Sequence, residues 1–351
     1  MAPTFLYLGD GKPLTIKANL TQAKARQSSS KPALDMHRQA LAHRPAVRSR
    51  TTGQRATRDR VGYGGNPPSG RWPNGARLAV SIVVNYEEGS ERSHAMGDPD
   101  QETMTEWGNY PMPQDIRNLA MESMYEYGSR VGVWRLLDIF RSTGVRSTFY
   151  ACAVAFEQNP TVAKAAIAGG HEIVSHGYRW EEVFRLSEEE ERKHIRLAVE
   201  SFRKTCGKRP IGWYCRYGPS VRTRRLVVEE GGFLYDSDAY NDDCPYFVEV
   251  EGKRHLVVPY TPDINDFRFW NSPGFVQSHD FYEYMRESFD VLYAEAARIP
   301  RMMSIGLHPR IIGRAGRVRA VRRFIEYANQ YPDVWFTTRE EIARAWLAMH
   351  P

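Results

Sequence analysis

The sequence predicts an α/β protein in which about seven parallel strands alternate with helices and close into a barrel. The first observation is the alternation itself, which continues over roughly 280 residues. The second is a nearly continuous apolar run at residues 76–84, as expected of a strand buried on both faces. The third is the lack of a glycine-rich nucleotide-binding motif, which favours a barrel over an open, doubly wound sheet.

The individual elements follow from periodicity and from end signals. Apolar runs predict strands at residues 76–84, 147–150, 172–175, 233–235, 256–259, 303–307 and 334–336. Helical spacing predicts helices at residues 130–142, 161–168, 187–204, 223–230, 280–297, 318–330 and 339–348. Ser187 and Glu190 have the spacing of a capping box, which marks a helix start. The pair Gly169-Gly170 marks a helix end.

The positive charge of the chain is concentrated in its first residues. Residues 1–57 contain ten Lys or Arg and two acidic residues, whereas the rest contains 38 basic and 40 acidic residues. We therefore expect residues 1–57 to be a disordered basic tail, or an extension from a misplaced start site, and residues 58–351 to be the barrel domain. A nearly neutral body argues against a nucleic-acid partner.

The cysteine content and the distribution of apolar residues indicate where the protein is located. Four cysteines without a C-x-x-C pair do not make a disulfide scaffold, and the N-terminus lacks the apolar segment of a secretory signal. The chain also lacks a run of about 18 apolar residues, so no membrane span is expected. A cytoplasmic location is the prediction.

Ionisable residues follow four of the predicted strands. In a β/α barrel the carboxyl ends of the strands share one face, where the chemistry takes place. The residues that reach this face in the predicted barrel are Glu87, Glu88, His176, Asp236, Asp238 and His308. Carboxylates that meet histidines at such a face are the equipment of a hydrolase.

Several longer motifs resemble the polysaccharide deacetylase superfamily, and within it the allantoinase-like branch. The first is the acid motif at residues 85–91, and the second is Ser175-His176-Gly177-Tyr178-Arg179-Trp180. An arginine motif at residues 212–219 and the blocks 231–243, 302–308 and 313–317 follow in the same order as in that branch. The resemblance runs from about residue 62 to the end.

This resemblance implies a distorted (β/α)7 barrel that hydrolyses carbon–nitrogen bonds other than peptide bonds. Metal-binding members of the superfamily use one acid of the first motif and two histidines of the second. Here Trp180 stands at the position of the second histidine, so only Glu88 and His176 remain as metal ligands. Catalytic zinc usually has three protein ligands.

Two mechanisms are compatible with this pattern. In the favoured one no metal is needed, as the resemblance to the allantoinase-like branch implies. Glu87, with a pKa raised by burial and by Glu88, activates water. His308 protonates the leaving nitrogen, and Arg216 and His176 hold the substrate. In the alternative, an acid from residues 236–243 completes a site for one divalent metal such as zinc.

The expected substrate is a small cyclic ureide or imide. Long aromatic segments at residues 90–127 and 238–275 are expected to cover the barrel mouth, or to form a contact in a homo-oligomer such as a tetramer. The residues expected to contact the substrate are Tyr86, Trp180, Arg216, Asp236, Asp238 and Trp270.

Two other functions compete with ring opening. One is a metal-dependent de-N-acetylase of polysaccharides or chitooligosaccharides, against which Trp180 argues. The other is an inactive barrel that serves as a binding module.

Overall fold

The structure is a computed structural model that describes residues 58–107 and 112–351. Residues Arg60–Pro351 form one compact unit. The predicted basic tail at residues 1–57 lies outside the described residues.

One curved sheet of nine strands forms the centre of this unit. The strands are β1 (Leu78–Tyr86), β2 (Thr148–Ala151), β3 (Glu172–Ser175), β4 (Gly212–Trp213), β5 (Tyr235–Asp236), β6 (Tyr246–Val250), β7 (Lys253–Val257), β8 (Arg301–Leu307) and β9 (Val334–Phe336). Their order is β6-β7-β5-β4-β3-β2-β1-β8, and β9 pairs with the beginning of β1. Only the β6–β7 hairpin is antiparallel among these pairs.

Helices connect the strands. They are α1 (Leu119–Tyr127), α2 (Val133–Thr143), α3 (Ala153–Gln158), α4 (Pro160–Ala168), α5 (Glu188–Cys206), α6 (Thr223–Glu230), α7 (Ser278–Glu295), α8 (Pro309–Ile312), α9 (Arg319–Ala328) and α10 (Arg339–Met349). A π-helical turn, Gly128–Gly132, joins α1 to α2. None of the helices in the described ranges is long and apolar enough to cross a membrane.

The local signals of the sequence operate as predicted in several places. The capping box at Ser187 and Glu190 is present at the start of α5, and Gly207 ends that helix in the left-handed conformation. All nine residues of β1 are buried, which is why its sequence is apolar without alternation. Alternation of strands and helices along the chain therefore does produce the parallel pairing.

The structure also contains elements that periodicity did not predict. Strand β4 has only two residues, too few for an apolar run to show, and β5 overlaps the predicted strand at residues 233–235 only at Tyr235. Helix α8 has four residues and begins with Pro309, whose fixed φ angle suits the first turn of a helix. Helix α1 and strand β6 were not predicted either, and they lie inside the aromatic segments at residues 90–127 and 238–275.

The barrel is open on one side. In the described part of the chain, strand β7 pairs with β5 and β6 but not with β8. A single bridge between Asn265 and Gly306 approaches β8 from the segment after β7. The sheet therefore curls without closing, and a cavity with both aromatic and ionisable side chains in its wall lies at the carboxyl ends of its strands.

Candidate active site

Three strands deliver the acid–base residues to one cavity. Glu87 follows β1, His176 follows β3 and His308 follows β8, each as the first residue after its strand. Because these strands are parallel and lie within four neighbouring positions of the sheet, their carboxyl ends meet at the same edge. All three side chains line a cavity of about 460 Å³, a volume suited to a small molecule.

Among these residues, Glu87 has the largest number of close polar contacts. Its Oε1 lies 3.1 Å from His176 Nε2 and 3.6 Å from His308 Nε2, and its Oε2 lies 2.6 Å from a guanidinium nitrogen of Arg310. Burial alone would raise the pKa of Glu87, but the positive field of Arg310 and the two histidines lowers it to about 2. The predicted increase of this pKa is therefore wrong, and the group is a permanent carboxylate.

The side chain of Glu88 points away from the cavity. Its Oε2 accepts a hydrogen bond from Glu87 N at 3.1 Å and its Oε1 accepts one from Arg310 N at 3.2 Å. The side chain is fully buried and, in the described residues, does not contribute to the cavity wall. Burial raises the pKa of Glu88, Arg310 opposes that shift, and the adjacent Glu87 reinforces it.

Arg310 is a fully buried cation directly behind Glu87. One guanidinium nitrogen pairs with Glu87 Oε2, and another lies 3.6 Å from Glu88 Oε1. The guanidinium carbon also lies 4.6 Å from the ring centre of Tyr125, 4.9 Å from that of Trp180 and 5.5 Å from that of Trp270. Three aromatic rings and two acids thus surround one charge.

His176 is held on both sides of its ring. Its Nδ1 lies 3.1 Å from the backbone oxygen of Tyr214, and the Tyr214 ring stacks on the imidazole with centroids 5.0 Å apart. Because a carbonyl oxygen only accepts, Nδ1 carries a proton. Nε2 faces the Glu87 carboxylate, which also accepts. Both ring nitrogens therefore face oxygen atoms of the protein, which fixes the orientation of the imidazole.

His308 forms a pair with Asp266. Asp266 Oδ1 lies 2.6 Å from His308 Nδ1, and its Oδ2 accepts the backbone N–H groups of His308 and Ile312 at 2.7 and 3.1 Å. Asp266 is fully buried, so the imidazole is fixed in one orientation. With Nδ1 donating to Asp266, the second nitrogen of His308 is directed towards Glu87 and the cavity.

Arg216 and Trp180 form the opposite wall. The Arg216 guanidinium lies 3.7 Å from the ring centre of Trp180 and forms an ion pair of 2.6 Å with Glu102. It also donates to the Trp180 backbone oxygen at 3.0 Å. Its Nε is buried and makes no hydrogen bond within the described part of the chain. Arg216 itself lines the cavity, so it places a positive charge at the cavity wall.

Four predicted substrate-contact residues do not reach the cavity wall in the described structure. Tyr86 is buried and its hydroxyl bonds to Ser129 Oγ at 3.2 Å. Asp236 pairs with Arg224 and His255 at 2.7 and 2.9 Å. The other two have internal partners as well.

Asp238 and Trp270 are those two. Asp238 accepts the backbone N–H of Cys215 at 2.8 Å, and burial together with the neighbouring carboxylate raises its pKa to about 7. Trp270 lies over Arg310. Asp236 and Asp238 therefore serve as internal hydrogen-bond and ion-pair acceptors, and Trp270 packs against Arg310.

Sequence reasoning missed residues that hold the others in place. These are Glu102, Tyr214, Asp266 and Arg310. Tyr214 lies inside the arginine motif at residues 212–219, two residues before Arg216. Arg310 lies two residues after His308, between the blocks 302–308 and 313–317. Glu102 and Asp266 carry no comparable signal, because each lies in a segment with irregular backbone or a short 3₁₀ helix.

The residues do not fit a divalent metal. Glu88, one predicted ligand, has both oxygens turned to backbone N–H groups, and His176, the other, faces Glu87. The second oxygen of the Glu87 carboxylate, Oε2, pairs with Arg310. Residues 58–107 and 112–351 contain no group of three or more His, Cys, Asp or Glu residues placed to hold a metal ion.

Known proteins resemble this chain over most of its length. The sequence model of the family "Polysaccharide deacetylase" matches residues 119–235. A relative from Schizosaccharomyces pombe, named for the same family, is 42% identical over 315 residues, which are 84% of this chain and 98% of the relative.

Two crystal structures resemble it equally well. One, named for the polysaccharide deacetylase family, is from Pseudomonas aeruginosa PAO1: it is 49% identical, covers 84% of this chain and 99% of its own, and superposes with a TM-score of 0.81. The other is the PuuE allantoinase, 50% identical over 84% of this chain and 98% of its own, also with a TM-score of 0.81. These likenesses confirm the predicted distorted (β/α)7 barrel. The chain therefore belongs to the polysaccharide deacetylase family and is a hydrolase of carbon–nitrogen bonds other than peptide bonds.

Proposed function

We propose that this hydrolase opens the ring of a small cyclic ureide or imide, as in an allantoinase, without a bound metal. The observation that carries the proposal is the position of Arg310, which pairs with Glu87 where a metal would otherwise have to bind. The 50% identity to the PuuE allantoinase supports the same substrate class. A ring amide under strain needs less activation of its carbonyl than an unstrained acetamide does, so a hydrogen-bonding site can suffice.

The proton transfers are assigned to His308. Glu87 has a pKa of about 2 and is therefore a weak base at neutral pH, although its Oε1 can still orient a water molecule by accepting a hydrogen bond. Because His308 Nδ1 is bonded to Asp266, His308 Nε2 is the nitrogen that faces that water and is assigned to accept its proton. This revises the expected roles, in which Glu87 took the proton and His308 only gave one.

Hydrolysis proceeds by attack of water on the ring carbonyl, followed by cleavage of the ring carbon–nitrogen bond. The water oxygen bonds to the ring carbonyl carbon while its proton moves to His308 Nε2, and Asp266 stabilises the imidazolium. The ring carbon–nitrogen bond breaks, and the leaving nitrogen takes that proton from His308. The product has a carboxyl group at one end. Arg216, whose cationic side chain lines the cavity, is assigned to stabilise the carbonyl oxygen as it becomes negative, while His176 holds Glu87 in place.

The other predictions about assembly and location stay predictions. They are a cytoplasmic location, a homo-oligomer such as a tetramer, and the absence of nucleic-acid and membrane partners. The long segments at the cavity rim favour a compact ligand, because Met104, Tyr217 and Phe267 come from three separate loops and surround one opening.

A substrate panel tests this proposal. Purified protein, before and after treatment with a chelator, is assayed on cyclic ureides, cyclic imides and N-acetylated sugars, with ring opening and acetate release measured separately. We expect ring opening that survives chelation. His308→Asn should lower kcat by about 10²–10⁴-fold.

Two results would contradict the proposal. Acetate release that exceeds ring opening and is abolished by chelation would identify a metal-dependent de-N-acetylase instead. A His308→Asn enzyme within about threefold of wild-type kcat would return the base role to a carboxylate. Arg323→Ala is a suitable control, since Arg323 stacks on Tyr282 on the surface and does not line the cavity.

A further inference from the structure

The charge at the centre of the site belongs to the chain itself. Arg310 lies with its guanidinium nitrogens 2.6 Å from Glu87 and 3.6 Å from Glu88, and its side chain is fully buried. A buried cation is costly unless acids and hydrogen-bond acceptors surround it. Both of these adjacent acids come from the segment after β1, whereas Arg310 comes from the helix after β8.

A cage of aromatic rings holds the same guanidinium. Tyr125, Trp180 and Trp270 come from three different parts of the chain and all lie within 5.5 Å of the Arg310 guanidinium carbon. Aromatic faces attract a cation most strongly where water is excluded. Trp180, which replaces the second metal-binding histidine, therefore has a structural role at this position because its ring forms one wall of the cage around Arg310.

The backbone also fixes where Arg310 can lie. The Arg310 N–H donates to Glu88 Oε1 at 3.2 Å, and Asp266 holds the amide groups of His308 and Ile312 on either side. The short helix α8 thus carries two active-site groups in one rigid turn, with His308 at its N-cap and Arg310 inside it. The guanidinium has little freedom to leave the acids.

We propose that Arg310 is the permanent cation of this active site, a positioning residue that keeps Glu87 charged and in place where a divalent metal would otherwise be required. It acts through Glu87 and does not touch the substrate. Arg310 is absent from the cavity lining in the described structure, whereas Glu87 is part of it. The inference about activity rests on the proposed ring opening, but the pairing itself does not.

The first experiment is chemical rescue of Arg310→Ala. The substitution should lower kcat by about 100-fold or more, with a smaller effect on KM, because it removes charge stabilisation behind Glu87. It also leaves a space lined by the aromatic cage. Millimolar guanidinium chloride should then restore turnover at least about tenfold, whereas urea, which has the same shape without the charge, should not. Arg310→Lys should fall between the wild type and Arg310→Ala.

Controls and contradicting results are well defined. Arg323→Ala also removes a guanidinium from an aromatic face, 3.9 Å from the Tyr282 ring, and should be unaffected by either additive. Equal rescue by urea and guanidinium would show that Arg310 only fills space, and would overturn the proposal. So would an Arg310→Ala enzyme within about threefold of wild-type kcat.

A second measurement does not depend on activity. Urea unfolding of Glu87→Gln, Arg310→Met and the double variant forms a double-mutant cycle. Each single change leaves a buried charge unpaired, so we expect the double variant to be no less stable than the less stable single variant. Strictly additive losses would contradict the pairing. A substrate panel that failed while this cycle showed coupling would reject the proposed function and leave the role of Arg310 intact.

Discussion

At the scale of single residues, three acids within five positions have different electrostatic environments. Glu87 is paired with Arg310 and its pKa falls to about 2, whereas burial raises the pKa of both Glu88 and Glu91. The pKa of Glu91 reaches about 7 because burial outweighs the opposing effects of its backbone N–H partners and of Arg310. One guanidinium therefore stabilises one carboxylate fully and leaves the other two inclined to hold protons.

Glu91 should make the stability of the protein depend on pH. Its pKa is higher in the folded chain, at about 7, than the ordinary value of 4.5, so folded Glu91 retains its proton to a higher pH. Its stabilising contribution is full below about pH 4.5 and is lost as the pH rises through about 7. Between about pH 5 and 8 the wild type should lose on the order of 2 kcal/mol relative to Glu91→Gln.

The measurement is urea unfolding of both proteins across that pH range. Glu326→Gln serves as the control, because Glu326 is exposed on α9 and replacing it removes no buried group. A stability difference between wild type and Glu91→Gln that does not change with pH would show that Glu91 is ionised throughout.

At the scale of elements, the helix that runs from α1 through the π-helical turn into α2 lies against the active site through its glycines. A Cβ atom on Gly132 would lie 2.0 Å from the Pro309 backbone oxygen, and one on Gly128 would lie 2.2 Å from Glu88 Oε1. The π-helical turn is thus the surface against which helix α8, with Arg310, is packed.

Gly132→Ala should destabilise the fold although Ala is the better helix former. Gly132 has helical dihedral angles, so on propensity alone the change would stabilise by up to about 1 kcal/mol. The clash is with backbone at Pro309, which can only move together with His308 and Arg310. We expect a net loss of about 1–3 kcal/mol in urea unfolding, with kcat reduced.

Gly316→Ala is the matched control for that change. No atom lies within 4 Å of a Cβ built on Gly316, so its stability should change little. If Gly132→Ala were as stable and active as Gly316→Ala, the close approach of the π-helical turn to α8 would not be required.

At the scale of the whole molecule, Arg339 holds the open side of the barrel together. It is the first residue of α10, is fully buried, and donates to the Val258 and Pro259 backbone oxygens after β7 at 2.5 and 2.6 Å. It also donates to Ser304 Oγ of β8 at 2.8 Å. Hydrogen bonds from one side chain thus replace the missing ladder between β7 and β8.

Arg339→Met should therefore lower global stability. It removes donors from four buried acceptors, Ser237 Oγ being the fourth, and leaves carbonyl groups unsatisfied, which we expect to cost about 3 kcal/mol or more. Arg344→Met, which breaks an exposed pair with Glu340 on the same helix, should cost less than about 0.5 kcal/mol. Thermal and urea unfolding measure both, and equal effects would show that Arg339 does not join the two strands.

The sequence by itself determined the α/β class, most strands and helices, and the placement of Glu87, His176 and His308 at strand ends. These features depend on local apolar runs, on capping residues and on the order of elements, all of which are readable along the chain. The resemblance of its motifs to a known family was also sufficient to predict the barrel and the reaction class.

Only the tertiary structure decided how those residues are charged and which of them face the cavity. Arg310 meets Glu88 across 222 residues of sequence, and Asp266 meets His308 across 42. Neither contact is encoded in a local pattern. The pKa of Glu87 is consequently lowered, whereas an increase was predicted. The electrostatic potential at a carboxylate depends on distances in space, and the sequence revealed only the adjacent Glu88 and not the cation Arg310.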